Sequence, residues 1–356
     1  MKILDDLKTI QAYSKSKVSD TISFLPDQIS QSWQDISKFK WPKNYSHFQN
    51  IVVCGMGGSN LATELARSIY SRDIKIPFVL VRDYHLPQFV NSQTLAIISS
   101  YSGNTEETLS CFKEAREKKA KIFCLASGGK LITGAKKHNI PYYQINKKYN
   151  PSHQPRYGLG LQLGAILSLL NRVKIIKVSS KEIEQSCEYL SILNQSLTAK
   201  VDSANNFAKK LAAEFEGQLP ILVAADFLSA NVHILANQIN ESAKNIIQYY
   251  KIPELNHHLL EGLKMPTAIS SKIKFLFLNS NLYSAIISRR FYVTEKVLKN
   301  QKIKFIDYSV SSDSKLLTAL EVLLLGSWVS YYLTILNQQN PTSIPWVNFF
   351  KKELAK

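Results

Sequence analysis

Short apolar runs alternate with helical periods along most of this 356-residue chain. The apolar runs predict strands at residues 51–54, 78–81, 95–99, 122–126, 142–145, 220–225, 245–249, 275–278 and 304–307. The helical periods predict helices at residues 60–70, 105–118, 159–170, 230–241, 316–336 and 346–354. This alternation is typical of parallel strands wrapped by helices. It predicts an α/β fold with two subdomains, each a parallel sheet flanked by helices.

The same pattern divides the chain into three segments. Residues 1–45 are predicted to form an N-terminal helical segment. Residues 46–175 form the first subdomain, and residues 176–356 form the second subdomain with C-terminal helices. Residues 179–216 are mostly helical in this interpretation and connect the two halves. The length suits two domains of roughly 100–200 residues each.

Composition and charge narrow the class of protein. Apolar residues make up 45% and charged residues 20%, as in an ordinary globular chain. Lysine and arginine exceed aspartate and glutamate by 44 − 27 = 17. The basic residues are scattered and interleaved with acidic ones, so we expect neither a nucleic-acid partner nor a membrane partner. A positive field also suits a small anionic substrate.

Three features favour a cytoplasmic protein. The first seven residues contain no apolar core of a signal peptide. Residues 316–336 are long enough to span a bilayer, but Glu321 and several hydroxyl residues within them favour a buried core helix. The cysteines show neither a CxxC pair nor a zinc-binding spacing, which indicates free thiols. They are Cys54, Cys111, Cys124 and Cys187.

A glycine-rich turn lies between the first predicted strand and its helix. It reads Gly55-Met56-Gly57-Gly58-Ser59-Asn60. Glycines let a backbone approach a ligand closely, and the helix start that follows offers free N–H groups to an anion. A dinucleotide fingerprint needs a third glycine at position 60, although Asp83 imitates the acidic residue that holds a ribose. A turn without a ligand is the other alternative.

A second polar turn lies between the third predicted strand and its helix. Hydroxyl groups at Ser100, Ser102 and Thr105 surround Gly103 at a helix start. Helix capping needs only one hydroxyl, whereas a phosphate monoester uses several donors and the helix dipole. No lysine follows in the pattern of a P-loop. Because both turns follow strands of one sheet, they predict a shared crevice.

These residues together resemble sugar isomerase (SIS) domains, and more closely the bifunctional phosphoglucose/phosphomannose isomerase family. The resemblance runs from about residue 50 to the C-terminus. Beyond the two turns it rests on Pro155-Arg156-Tyr157-Gly158, Asn240-Glu241-Ser242-Ala243-Lys244, Pro253-Glu254-Leu255-Asn256-His257, Asn340-Pro341-Thr342 and Phe350-Lys351-Lys352-Glu353-Leu354.

The resemblance implies where the substrate phosphate binds. It assigns the phosphate to the first subdomain and to six residues of the two turns. They are Gly57, Gly58, Ser59, Ser100, Ser102 and Thr105. It also implies a metal-free and cofactor-free reaction, the isomerisation of glucose 6-phosphate and/or mannose 6-phosphate with fructose 6-phosphate through a cis-enediolate.

The resemblance also implies four catalytic residues. Glu241 is the base, Arg156 stabilises the enediolate, and Lys351 assists ring opening or orients hydroxyls. His257 is the ring-opening group and comes from the partner subunit, which implies a homodimer with its active site at the subunit interface. The adjacent His258 leaves open which of the two histidines acts.

Three other functions stay open at this point. A non-catalytic sugar-phosphate sensor would bind without turnover, but it usually carries a DNA-binding domain for which the first forty residues are too short. A SIS isomerase for another sugar phosphate is the second. An oxidoreductase that uses a dinucleotide is the least favoured, because the fingerprint is incomplete.

Overall fold

The computed structural model describes residues 2–354 and residue 356. Packing groups the chain into two compact units. The first unit is Phe24–Tyr189, and the second combines Met1–Ser23 with Leu190–Lys356. The three segments inferred from the sequence follow chain order rather than packing, and their bounds stay a prediction.

The N-terminal segment is helical, as expected. Its helices are α1 (Lys2–Asp5), α2 (Leu7–Ser14), α3 (Val18–Ser23) and α4 (Leu25–Ser37). The first three pack in the second unit, and α4 packs in the first.

The first unit is built on a five-stranded parallel sheet. Its strands are β1 (Asn50–Cys54), β2 (Phe78–Val81), β3 (Thr94–Ser99), β4 (Lys121–Ala126) and β5 (Tyr142–Gln144). The helices after β1 are α5 (Gly58–Ile69), α6 (Glu106–Glu117), α7 (Gly129–Lys137), α8 (Leu159–Arg172) and α9 (Ser180–Leu197), the last of which continues into the second unit. Strands and helices follow the sequence pattern to within a few residues.

The strand order β2-β1-β3-β4-β5 determines where a ligand can bind. From the central pair β1 and β3, the sheet extends on one side to β2 and on the other side through β4 to β5. The register pairs Cys54 of β1 with Ile98 of β3. The loops after these two buried strands therefore begin side by side, at the point where ligands bind in open parallel sheets.

The second unit is built on a four-stranded parallel sheet of order β7-β6-β8-β9. Its strands are β6 (Leu219–Ala225), β7 (Gln248–Ile252), β8 (Ile273–Ser280) and β9 (Lys304–Val310). Its remaining helices are α10 (Phe207–Phe215), α11 (Ser229–Gln238), α12 (Leu259–Gly262), α13 (Thr267–Ser270), α14 (Ala285–Asn300), α15 (Lys315–Leu336) and α16 (Pro345–Leu354). Two parallel sheets flanked by helices confirm the predicted α/β architecture.

Several details of the second unit differ from the sequence prediction: the start of β7, the short helices α12 and α13, and helix α14. Strand β7 begins three residues later than expected, because Lys244 takes a left-handed conformation and the Asn245 side chain bonds to carbonyls of Gln218 and Ile246. Helix α14 was not predicted from the sequence. Only Phe291, Thr294 and Leu298 of its sixteen residues are buried, so its apolar stripe is weak.

Helix α15 is the core of the second unit. Among the described residues it is the one helix long and apolar enough to cross a membrane, and its apolar window is wholly buried in the protein. Packing inside an α/β unit accounts for this composition, as expected for a core helix of a soluble protein.

An ion pair joins α1 to α10 within the second unit. Lys209 is fully buried, and its Nζ lies 3.2 Å from Asp5 Oδ1 and 3.0 Å from the Ala199 carbonyl oxygen. The backbone N–H and the hydroxyl of Ser203 both donate to Asp5 Oδ1 at 2.8 Å. Burial opposes ionisation of Asp5, but these hydrogen bonds and the ammonium outweigh it and lower its pKa.

We expect Asp5→Asn to lower the melting temperature near neutral pH, because it leaves the buried Lys209 ammonium without its counter-charge. The free energy of unfolding should fall by about 2 kcal/mol, and the partial exposure of Asp5 keeps the loss this small. A group with a lowered pKa stabilises the fold above its unfolded pKa, and this contribution is lost as the pH falls through the folded value. The difference between the two proteins should therefore shrink below about pH 4. Thermal unfolding from pH 3 to pH 7 measures it, with the exposed Asp20→Asn as control. A difference in melting temperature between the two proteins that stays the same from pH 3 to pH 7 would contradict this role of Asp5.

Candidate functional site

The first loop follows β1 and leads into α5. Gly57 precedes α5 with φ at +49°, a conformation that favours glycine. Gly55 has no room for a side chain, because a Cβ there would lie 2.8 Å from the Ser99 carbonyl oxygen. The backbone of the first loop thus lies directly against the end of β3. In the first turn of α5 the N–H groups of Ser59 and Asn60 donate to the Met56 and Gly57 carbonyl oxygens at 3.1 Å. What this helix start offers an anion is therefore the positive end of the helix dipole.

The second loop follows β3 and leads into α6. The hydroxyls of Ser100 and Thr105 lie 2.9 Å apart, and the Gly103 N–H donates to Ser100 Oγ at 3.1 Å. Ser102 is exposed, and its Oγ accepts from the Asn104 N–H at 3.2 Å. The three predicted hydroxyls therefore surround one short loop at the start of α6.

The two loops are joined by a hydrogen bond. The backbone N–H of Tyr101 donates to Ser59 Oγ at 2.8 Å. Ser59 belongs to the first turn of α5, and Tyr101 is in the middle of the second loop. The structure thus brings the two sequence motifs into one site, as their positions in the sheet predicted.

Arg156 is brought to this site by a third segment. Asn150 is fully buried, and its Nδ2 donates to the Tyr101 hydroxyl at 2.6 Å and to the Gln154 carbonyl oxygen at 3.1 Å. A Cβ on Gly58 would lie 3.6 Å from the Arg156 backbone nitrogen. Arg156 therefore lies against the first turn of α5, with its side chain buried and its guanidinium 5.7 Å from the Tyr157 ring centroid.

This combination of groups is suited to an anion. Hydroxyl donors, two helix N-termini and a guanidinium all favour negative charge, and phosphate accepts bonds from each of them. Asn60 does not add to these donors. Its side chain is fully buried, and its Nδ2 donates to the Gly55 carbonyl oxygen at 3.1 Å, so it supports the first loop from the core side.

Glu241 lies in the second unit, in a π-helical turn (Ile239–Ala243) that ends α11. Such turns are often found at functional sites. The Lys244 ammonium donates to the carbonyl oxygens of Glu241, Ser242 and Asn340 at 2.7, 3.1 and 2.9 Å. The cation thus caps the end of this turn and ties it to the loop before α16.

A cavity of about 600 Å³ opens beside this turn. Its polar lining includes the half-buried Glu241, together with Asn240, Lys244 and Asn340, and Trp346 of α16 lines the other side. Lys351 is exposed one turn further along α16 and does not line this cavity.

The helix that leads to Glu241 and the residue next to His257 contact opposite faces of β7. Successive strand residues point to opposite faces. The His233 ring of α11 stacks on Tyr249 of β7 with centroids 4.9 Å apart, whereas His258 packs against the next residue, Tyr250, at 6.0 Å. The turn that carries Glu241 continues α11, and His257 is exposed beside His258.

Three comparisons place the chain among known proteins. Residues 204–354 match the family model described as the bacterial phospho-glucose isomerase C-terminal SIS domain. Two proteins named bifunctional phosphoglucose/phosphomannose isomerase are similar over most of their length. The one from Caldicellulosiruptor bescii is 30% identical over 95% of this chain and 98% of its own. The one from Aquifex aeolicus is 31% identical over 91% and 94%.

The chain belongs to the bifunctional phosphoglucose/phosphomannose isomerase family. A solved structure agrees on the fold: a hypothetical protein from Thermus thermophilus matches with a TM-score of 0.75 at 12% identity, over 98% of this chain and 93% of its own. The predicted architecture of two parallel sheets flanked by helices is confirmed, and the second unit contains the segment that matches the SIS domain model.

Family membership leaves the roles of individual residues as predictions. The structure brings the predicted phosphate-binding residues and Arg156 together within the first unit. His257 does not line the cavity that Glu241 lines. The choice between His257 and His258 also stays open, since both are exposed.

Sequence reasoning missed residues that hold the site in place. Asn150 was not singled out, although an asparagine before Pro151 is typical of a turn. Lys244 was quoted as part of a motif, but its left-handed conformation and its three carbonyl partners have no signature in the sequence. Among the described residues, no group of three His, Cys, Asp or Glu side chains could hold a metal ion.

We expect Gly103→Ala to destabilise the protein by about 3 kcal/mol, because a Cβ there would lie 1.8 Å from the Gly128 carbonyl oxygen and φ is +73°. Gly217→Ala is the matched control: its φ is +67°, but nothing lies within 4 Å of the added Cβ, so about 1 kcal/mol is expected. Melting temperatures measure both. Equal losses would show that the close packing at Gly103 is unimportant.

Proposed function

We propose that this protein catalyses the reversible isomerisation of glucose 6-phosphate and/or mannose 6-phosphate with fructose 6-phosphate. The observation that carries the proposal is the joined pair of loops, which carry the hydroxyls and precede two helix N-termini, with the backbone of the buried Arg156 packed against the first turn of α5. This set of donors suits a phosphate monoester. Membership of the family supplies the class of reaction.

In this proposal the two loops hold the 6-phosphate. Gly57 and Gly58 let the phosphate approach the backbone of α5, and Ser59, Ser100, Ser102 and Thr105 supply hydroxyl donors. Arg156 then supplies positive charge near this anchor, where it stabilises the negative charge of the cis-enediolate.

Glu241 transfers the proton in this mechanism. Starting from the open-chain aldose, its carboxylate removes the proton from C2, the C–H electron pair forms the C1–C2 double bond, and the C1 carbonyl π pair moves onto O1 to give the enediolate. The same carboxyl group returns the proton to C1, while the C2 hydroxyl becomes the carbonyl and its proton passes to O1 to give the ketose. Its position in a cavity, on a turn fixed by Lys244, supports this role.

His257 opens the sugar ring, and we infer that it acts in the site of a second copy of the chain. Helix α11, which leads to the turn of Glu241, and His258, next to His257, contact opposite faces of β7, which supports this inference. Helix α16 supports it too, because its large apolar residues are exposed in the single chain. They are Trp346, Val347, Phe349, Phe350 and Leu354. Lys351 lies on this same helix and assists ring opening.

The reaction needs no cofactor and no metal, since the proton moves between a carboxylate and the substrate. We infer a cytoplasmic location, which the four free and buried cysteines support.

The first test follows fructose 6-phosphate in the presence of EDTA, with glucose 6-phosphate and mannose 6-phosphate measured separately. We expect turnover by the wild type and a fall in kcat of about 10³-fold in Glu241→Gln, with little change in KM. The removed carboxylate is the acid–base group, whereas the phosphate anchor is intact.

The exposed Glu216→Gln is the matched control and should keep full activity, because Glu216 belongs to neither loop nor the cavity. No turnover by the wild type, with fructose 6-phosphate still raising its melting temperature, would favour a sugar-phosphate sensor instead. Full activity in Glu241→Gln would remove this residue from the mechanism.

A complementation experiment tests the shared site. Glu241→Gln and His257→Ala should each be inactive alone, but co-expression should restore about a quarter of the wild-type activity. Random pairing makes half of the dimers mixed, and one of the two sites in each mixed dimer has both residues intact. No recovery in verified mixed dimers would place both residues in the same chain's site.

A further inference from the structure

Ser99 is the last residue of β3 and is fully buried between the two phosphate loops. Its Oγ lies 2.8 Å from the Ser59 carbonyl oxygen and 3.2 Å from Gln162 Oε1. A hydroxyl carries one proton, so it cannot donate to both oxygens. The shorter contact assigns the proton to Ser59. The contact with Gln162 is then a bond donated by the amide, with its NH₂ group turned towards Ser99.

Gln162 is a polar exception in an apolar helix. It lies in α8, where its neighbours Leu161 and Leu163 are fully buried, and it is itself fully buried. Among the described residues Ser99 is its hydrogen-bond partner at one end of the amide, and the other end has none. Burying an amide with one bond costs free energy, and a leucine at this position would avoid the cost. The interaction with Ser99 is therefore the feature that distinguishes this residue from its neighbours.

Ser59 is fixed from two sides, by the last residue of β3 and by the loop that follows it. Its carbonyl oxygen accepts from Ser99, and its Oγ accepts the Tyr101 N–H at 2.8 Å. Because its Oγ accepts from Tyr101, the Ser59 hydroxyl keeps its own proton to donate in another direction. The same approach of the loops excludes a side chain at Gly55.

We propose that Ser99 and Gln162 are positioning residues that set the spacing of the two phosphate loops and aim the Ser59 hydroxyl at the substrate phosphate. Neither residue contacts the phosphate in this proposal. The proposal rests on the proposed function, because it assumes that the two loops bind the phosphate of a sugar.

The test uses Ser99→Ala and Gln162→Met, which remove the hydrogen bonds and keep the side chains similar in size. Affinity for inorganic phosphate is measured by calorimetry, and KM and kcat are measured with fructose 6-phosphate. We expect Ser99→Ala to weaken phosphate binding and raise KM about tenfold, with kcat within about threefold of wild type. Gln162→Met should change the same quantities by about threefold. The double variant should be no worse than Ser99→Ala, because both act through one network.

Thr63→Val is the matched control. Thr63 lies in α5, is fully buried, and its hydroxyl has no partner among the described residues. This variant should leave phosphate affinity and KM unchanged, since it removes a buried hydroxyl that holds neither loop.

The outcomes separate this inference from the function it rests on. Lower melting temperatures with unchanged phosphate affinity and KM, in whichever of the two variants fold, would overturn it and leave Ser99 and Gln162 as core residues only. Additive losses in the double variant would also contradict a shared network. If the wild type binds phosphate but does not convert fructose 6-phosphate, the proposed isomerase fails while the phosphate measurements still test the positioning. A wild type that does not bind phosphate would overturn the positioning as well.

Discussion

The parallel pairing of β1 with β3 is the constraint on which the first unit's site depends. It makes two loops start side by side, so close that Gly55 faces the Ser99 carbonyl oxygen and cannot carry a side chain. Neither loop can be displaced without the other. The sheet therefore holds the donors for an anion in place before a ligand binds. The free-energy cost of ordering them is met on folding, which is the advantage of a preorganised site.

In the second unit the corresponding constraint is the C-terminal end of the buried helix α11. Carbonyl groups at a helix C-terminus lack partners within the helix. At the end of α11 the Lys244 ammonium and the Asn337 amide serve three successive carbonyls of the turn, those of Glu241, Ser242 and Ala243. Glycine is the usual residue in a left-handed conformation at a helix end. A lysine accepts some backbone strain there and gains charged hydrogen bonds that fix the turn.

The sequence predicts this fold well where apolar runs are interrupted by turn residues. The strands of the first sheet follow that rule, and both loops could be placed at its carboxyl edge. Strand β7 was misplaced because Ile246 and Ile247 are apolar residues typical of a strand, whereas the hydrogen bonds of the Asn245 side chain hold them in an irregular loop. The approach of Arg156 to α5 depends on the hydrogen bond between Asn150 and Tyr101, which are 49 residues apart. A contact over this sequence distance cannot be predicted from the local pattern of residues.

The alternation of side chains along β7 has a consequence for how the chain can vary in length. Tyr249 and Tyr250 face opposite sides, and they contact His233, in the helix before the turn of Glu241, and His258, next to His257. A strand has a side-chain period of two, so inserting one residue at its start would exchange the two faces, whereas inserting two would keep them. The number of residues between these two turns is therefore constrained to be odd or even as well as to a certain length. Insertions or deletions of an odd number of residues there should affect the isomerase reaction differently from those of an even number.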